Sequence, residues 1–512
     1  MSSNRQRKVL SACLQWTTSW VEKVIRLWPR LQVSHRGGKY SLERLLALEE
    51  YTRTTSLCRA IFVCLGTPLP TMTLVVAQEL VPLQDPNSGS LANYGFWIRA
   101  SILTAAIAHA AAVQLHHLVD QVNISQGQRV AIACCVGSSF PILMMHVASG
   151  TVFPIPFTVV STFPVFYVLL IISFRVVAGR KFFQDAAADL DQTVRFVKYI
   201  CTQVLLIIVY PAYQALFSIA AETNHELLVI LLLPVIKSLI KYLLLRMTTH
   251  MEDLTPESVI FTVDFFNALY LATSMQQATS TTTIVTFVAL DMFHVMFGLY
   301  GHFRRTSSIQ RRLREVVGES DSDNLLSSIV LLCQKPEVYA RQMRVGIQLR
   351  SSFPYRLSDA TQQLLSMLDN VKSSPSAERK SFILQETLET MFTSECHVLT
   401  EYLESIIPVL YGCFVLMIVR LPNAKYHLDI EGITRENATA TVHSVFVLAV
   451  LELLSFIVLA VVMQRNCGVK AFYHLAFVLE TQTMLIQDKL ITWALLTMGF
   501  RVVHFGKCYL AL

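Results

Sequence analysis

What this 512-residue chain has little of is charge: Asp, Glu, Lys and Arg together make up 15% of it, while 53% is hydrophobic. Soluble domains run at about 25% charged residues, so the composition leans away from a water-soluble globule. The motifs of soluble catalysis are missing too. There is no G-x-x-x-x-G-K-[ST], no G-x-S-x-G, no H-E-x-x-H and no dinucleotide-binding glycine fingerprint. The chain therefore offers no phosphate cradle, no serine elbow and no helical zinc pair, and neither an enzyme activity nor a cofactor or metal is expected. Its eleven cysteines form no C-x-x-C pair, which argues against a zinc site and a disulfide scaffold. With only 18 glycines, close G-x-x-x-G helix seams are not the organising theme. The N-terminus lacks the uninterrupted apolar stretch and small-residue cleavage pattern of a secretory signal, and no nucleic-acid partner is indicated.

What is present is a series of long apolar runs with short polar connectors between Cys58 and Met463. About 20 apolar residues are needed for a helix to cross the hydrocarbon core. The runs lack the alternation of barrel strands, so helices are the remaining way to satisfy the backbone in lipid. The predicted spans are 58–80, 96–119, 130–149, 152–174, 199–221, 227–246, 258–275, 283–302, 403–420 and 441–463. The third and fourth are joined by a tight Ser149-Gly150 turn, and the seventh is weakened by Asp264. A last run, 489–505, is short and holds Arg501; it either spans or re-enters. The expected fold is thus all-α, a polytopic bundle of ten or eleven transmembrane helices with a helical cytoplasmic insertion. Residues 1–57 form an N-terminal segment, 58–302 a membrane domain of eight helices, 303–402 the insertion, and 403–512 a C-terminal membrane segment of two or three helices.

Orientation follows from Lys and Arg, which are retained in the cytoplasm. Residues 1–57 hold ten, 175–198 five and 303–402 thirteen, against two, Lys425 and Arg435, in the loops 81–95, 222–226, 276–282 and 421–440. Counting spans alternately from a cytoplasmic N-terminus puts every basic segment on one side. The sequon Asn437-Ala438-Thr439 then falls outside, where Asn437 is a candidate N-glycosylation site. The sequon at Asn123 falls inside and is expected to be unused. Which membrane the chain occupies is left open.

Leu10, Leu14, Trp20, Val21, Val24 and Trp28 recur at helical spacing beside Lys23, Arg26 and Arg30, an amphipathic helix suited to the headgroup layer or to packing on cytoplasmic loops. In 303–402, apolar residues at helical spacing (Val338, Met343, Ile347; Leu364, Leu365, Leu368; Phe382, Ile383, Leu388, Met391) predict three to five helices, with Ser358 and Ser376 at N-cap positions. This region is the candidate surface for a cytoplasmic protein partner. Ser307, two residues beyond Arg304-Arg305, is a candidate phosphorylation site, whose added charge would oppose attraction to anionic lipid. The alternative is a plain basic anchor.

Ionisable residues at membrane depth carry the functional signal. Lys237 and Lys241 share one face of the sixth span, Asp291 and His294 one face of the eighth. Glu452 is central in 441–463, and Asp264 sits inside the seventh. Each such group costs at least about 2.5–3.5 kcal/mol at a helix centre, so it should face water or a partner. Lys237 paired with Asp291 or Glu452 is one arrangement. Three readings stay open: buried ion pairs fixing register, an ion or proton path through Asp291, His294 and Glu452, or snorkelling of the two lysines to the interface. Arg99 is expected to snorkel. Prolines within the spans (Pro68, Pro70, Pro141, Pro154, Pro156, Pro164, Pro211, Pro234 and Pro408) predict kinked helices. The leading expectation is a secondary transporter or channel-like permeation protein. The alternative is a non-catalytic receptor or scaffold working through 303–402.

The stretch Phe392-Thr-Ser-Glu-Cys-His-Val-Leu-Thr-Glu-Tyr-Leu-Glu-Ser-Ile-Ile-Pro-Val-Leu-Tyr411, with Leu421-Pro-Asn423, Leu475-Ala-Phe-Val-Leu-Glu480 and Lys489-Leu-Ile-Thr-Trp493, resembles a group of uncharacterised multi-pass transmembrane proteins of oomycetes. The resemblance covers the last quarter of the chain. It implies a related membrane segment and no particular activity. In this stretch Glu401, Tyr402 and Glu404 open the 403–420 span, and 471–487 reads as an interfacial helix.

Overall fold

The computed structural model describes residues 40–223, 226–248, 252–278, 281–317, 325–335, 339, 347–351, 353, 355–369 and 383–505. The predicted amphipathic helix before residue 40, the positions Val338, Met343, Ser376 and Phe382 of the insertion, and residues 506–512 lie outside them. The described elements are helices in series. A short helix α1 (Leu42–Thr54) begins behind Ser41, whose side chain accepts from the Arg44 amide. After it come α2 (Leu57–Glu79, broken at Thr67-Pro68), α3 (Tyr94–Leu118), α4 (Gln126–Gly150) and α5 (Thr158–Val177). Next are α6 (Gly179–Ala188), α7 (Leu190–Glu222), α8 (Leu232–Thr248, preceded by the short helix Glu226–Ile230), α9 (Thr255–Gln277) and α10 (Thr281–Val317). The chain continues through α11 (Leu325–Gln334), α12 (Asp359–Asp369), α13 (Ile383–Ile418), α14 (His443–Cys467), α15 (Ala471–Thr481) and α16 (Thr483–Ala494), which widens into a π turn over Leu495–Gly499.

Among the described residues, eight helices are long and apolar enough to cross a membrane: α2, α3, α4, α5, α7, α9, α13 and α14. The chain is a multi-pass, all-α integral membrane protein. The predicted sixth and eighth spans correspond to α8 and to the first part of α10.

Helix α9 is the centre of the bundle. It is ringed by α7, α8, α13, α14 and α16, and every residue from Thr255 to Met275 is buried. The segment weakened by Asp264 is thus the one that never meets the surface. Pro141, Pro164, Pro211 and Pro408 do lie inside helices. Pro154 and Pro156 do not: α4 continues through the expected Ser149-Gly150 turn, and the connection is made by 151–157 instead. Gly137 sets a helix spacing: a Cβ there would stand 2.7 Å from that of Ala105. There α3 and α4 close tightly enough for Ser101 Oγ to donate to the Gly137 carbonyl.

Two expectations about the insertion and the tail change. The helix predicted around Ile383, Leu388 and Met391 is not separate, since α13 runs unbroken from Ile383 to Ile418. Likewise α10 carries on to Val317, past the predicted membrane edge at residue 302. The stretch read as interfacial, 471–487, is instead built into the bundle. α15 packs on α1, α2, α13 and α14, and α16 on α2, α3 and α9. An interfacial helix would turn its apolar face to lipid; here Leu475, Phe477, Val478 and Ile486 are covered by protein.

Candidate functional site: a charged core and an apolar cavity

Charged residues inside the bundle gather in three layers along α9. At one end, α1 is tied down by Arg44, which is fully buried. Its Nη2 donates to Glu257 Oε1 at 2.5 Å and Glu395 Oε1 at 2.6 Å, its Nε to Glu395 Oε2 at 3.2 Å, and its Nη1 to the Asp253 carbonyl. Burial alone would pull the Arg44 guanidinium down; Glu257 and Glu395 more than reverse this and hold it raised. His474 on α15 also reaches Glu395, at 3.1 Å. Asp253 accepts from the Ser41 amide at 2.9 Å and from the Ser351 hydroxyl at 2.6 Å. Glu50 accepts from the Ser358 amide at 3.1 Å and the Thr361 hydroxyl at 3.1 Å. Parts of the 303–402 region therefore bind the helix that precedes the first span.

The middle layer contains the lysines singled out in the sequence. Lys237 binds Asp264 at 3.1 Å and also Glu404, and Lys241 binds Asp264 at 2.8 Å. Thr400 donates to the same Asp264 carboxylate at 3.3 Å. The lysine side chains are 13% and 11% exposed, so they are enclosed and do not snorkel. Two ammonium groups face two carboxylates. Ionised acids inside a bundle are held only where such partners offset their desolvation, and here they do. The acids Lys237 meets are thus Asp264 and Glu404. Glu452 is buried on α14 one turn before Ser455, whose hydroxyl donates to Glu401 at 2.6 Å. Asp291 and His294 fall on α10, but their side chains lie outside the description.

The far end has its own polar knot. Arg99 is 1% exposed and does not snorkel: it pairs with Glu79 at 3.0 Å and donates to the Val81 carbonyl at 2.8 Å. His427 meets Glu79 at 3.1 Å, and Asn423 donates to the carbonyls of Glu79 and Val81. Arg501 pairs with Asp429 and lies 4.7 Å above the Tyr270 ring. The Leu428 amide donates to the Arg501 carbonyl at 3.0 Å. The last segment, from α15 to residue 502, therefore runs from the Arg44 end of the bundle to this one. Asn437 is exposed in the 421–442 loop at the same end. Ser307 lies half-buried on α10, its hydroxyl donating to the Phe303 carbonyl at 2.7 Å.

Beside the charged core lies a cavity of about 120 Å³ between α3, α4, α5, α7 and α16. Its wall is mostly apolar, with Phe96, Trp97, Phe140, Phe166, Trp493 and Phe500 among its aromatic residues. Polar groups are few. Gln114 and Gln203, hydrogen-bonded to each other at 3.2 Å, lie with Lys489 toward the Arg44 end, and His504 lies at the other. Neither Lys237, Lys241, Asp264, Glu404 nor Glu452 lines it.

Arg44, Asp253, Glu257, Glu395, His474 and Lys489 were not singled out from the sequence as an ionic cluster. The available signal was position. Glu257 and Glu395 stand just outside spans on residues that extend the same helices, and an acid on a helix continuing into the bilayer needs a partner as much as one inside. Among the described residues no group of three or more His, Cys, Asp or Glu side chains is placed to hold a metal ion. No protein-family model, no curated protein and no solved structure matches the chain.

Proposed function

We propose that this protein is a non-catalytic membrane receptor or scaffold, with its N-terminus and the 303–402 region on the cytoplasmic side, and not a permeation pathway. The observation that carries this reading is the closed pairing of Lys237 and Lys241 with Asp264 and Glu404 around a wholly buried helix. A coupling site that passes ions needs carboxylates facing a water-filled path at bilayer depth. These carboxylates are committed to fixed partners and stand apart from the cavity. The Arg44 knot supports the other half of the reading. It joins α1, α9, α13 and α15, while Asp253 and Glu50 hold Ser351, Ser358 and Thr361 against them. The region offered to a cytoplasmic partner is thus hydrogen-bonded to the membrane core.

Flux across proteoliposomes containing the full chain tests this. Under an imposed pH gradient or membrane potential, the wild type and the folded Glu404→Gln and Glu452→Gln variants are expected to leak no faster than protein-free vesicles. A wild-type flux abolished by either substitution would sink the reading and make the carboxylates a coupling site. Enzymatic deglycosylation of protein made in a secretory host tests the orientation. A mobility shift lost in Asn437→Gln agrees with an outward 421–440 loop, and a shift retained in that variant but lost in Asn123→Gln reverses it.

A further inference from the structure

The apolar cavity has a polar end that its own walls leave incompletely matched. Lys489 is 1% exposed, and its ammonium meets neutral oxygens: the Ser258 carbonyl at 2.8 Å, the Tyr199 hydroxyl at 3.1 Å and, at a long 3.4 Å, the Glu257 carbonyl. No carboxylate among the described residues lies within ion-pairing distance of it. This is unlike Lys237 and Lys241, each of which has an acid. One helical turn further on, Trp493 is 4% exposed, and its indole N–H has no acceptor among the described residues. Both residues line the cavity. A buried cation and a buried unmatched donor, one turn apart beside apolar space, favour an anionic acceptor.

The shape of the wall says what the rest of that occupant is. The lining residues on α3 run from Phe96 to Gln114, a rise of about 27 Å along the helix. Between those ends lie Ala100, Leu103, Ile107 and Ala111 on α3, with Phe140 and Met144 facing them from α4. Such a wall fits a chain of methylene groups and offers a second charge no partner. On the α5 and α7 side the lining residues Phe163, Tyr167, Val204 and Ile207 are only half-buried, next to exposed Val168, Ile171, Leu205 and Ile208. That side is turned to the bilayer, the compartment in which an amphiphile arrives.

We propose that this cavity binds a long-chain fatty-acid anion, its carboxylate held by Lys489 and Trp493 and its acyl chain extended toward Phe96 and Phe153. Lys489 and Trp493 offer one cation and one free donor, which suit a single carboxylate; a glycerophosphate head carries more charge and more polar atoms than these two can match. The site adds a ligand to the receptor reading and does not depend on the charged core.

The test uses the full chain in phosphatidylcholine nanodiscs and tritiated palmitate in a proximity assay. Saturable binding is expected, displaced by unlabelled palmitate and at least tenfold less well by methyl palmitate, lysophosphatidic acid or octanoate. Lys489→Met should cut palmitate affinity roughly tenfold or more, the size of a charge-assisted contact, and leave methyl palmitate unchanged. Trp493→Phe keeps the ring shape and removes only the N–H. It should shift the palmitate-to-ester ratio in the same direction, which keeps the proposal testable should the lysine variant misfold. Ala111→Phe fills the cavity beside its polar end and should abolish binding of both. Absence of saturable binding, equal displacement by the methyl ester or by lysophosphatidic acid, or binding unaffected by Ala111→Phe would each overturn the assignment. None of these variants alters Lys237, Asp264 or Glu404, so failure here is separable from the outcome of the flux experiment.

Discussion

Helices α9 and α14 pack against each other in one bundle and obey opposite rules. α9 has the lowest hydropathy of the eight candidate spans, and its most apolar window is 100% buried. α14 has the highest, and its window is 39% buried. Val450, Leu453, Leu454 and Val458 on α14 are all about half-exposed. The difference teaches that lipid contact, more than depth in the protein, demands an oily sequence. A stripe facing hydrocarbon tails must be apolar throughout. A helix ringed by other helices can carry Asp264 and Thr273, provided each finds its partner.

The comparison breaks first at Asp264. Asp264→Asn leaves Glu404 as the acid beside Lys237 and takes away the acid that Lys241 binds, and removing one member of a buried ion set costs about 3–5 kcal/mol. Unfolding in mixed micelles should register that loss, and a stability equal to wild type would mean that α9 tolerates polarity without pairing. Next comes Thr273→Val, which deletes the 3.0 Å bond to Gln214 while keeping the shape. About 0.6–1 kcal/mol is expected, the range for one interhelical hydrogen bond. Smallest is Leu453→Ala on the lipid-facing side of α14, expected within about 0.5 kcal/mol of wild type. Should Leu453→Ala cost as much as Asp264→Asn, α14 would be covered by another protein surface and the contrast would fail.

The same contrast explains what could be read from the sequence. Lipid-facing helices such as α14 and α5 announce themselves by continuous apolar stretches, so the helical membrane class was legible at once. Asp264, Lys237 and Lys241 stood out because charge at bilayer depth is costly wherever it points. Their grouping was not legible, since helical periodicity gives the depth of a residue and the face it shares, but not which helix faces it. Arg99 illustrates the gap. Near a predicted span end it reads as a snorkelling residue; only the approach of Glu79 and Val81 makes it buried. The 471–487 stretch misled for a related reason: mixed apolar and polar residues suit both a headgroup layer and a crevice between helices. The cavity left still less trace, because Ala100, Ala111 and Phe140 look the same whether they pack on one another or border open space.

The two longest described helices are longer than a hydrocarbon core is thick. At 37 and 36 residues, α10 and α13 are each about 55 Å long, against a hydrocarbon core of about 30 Å. Each is therefore about 25 Å longer than such a core, with no break along its length, and Arg312 on one meets Glu386 on the other. Rods without a hinge transmit torque. A small roll or tilt of α13 at bilayer depth, where it carries Glu404, turns Glu386 and Glu395 through the same angle at its other end. A continuous helix leaves no loop between Glu404 and Glu386 to absorb a displacement, so the two carboxylates sit on one rod.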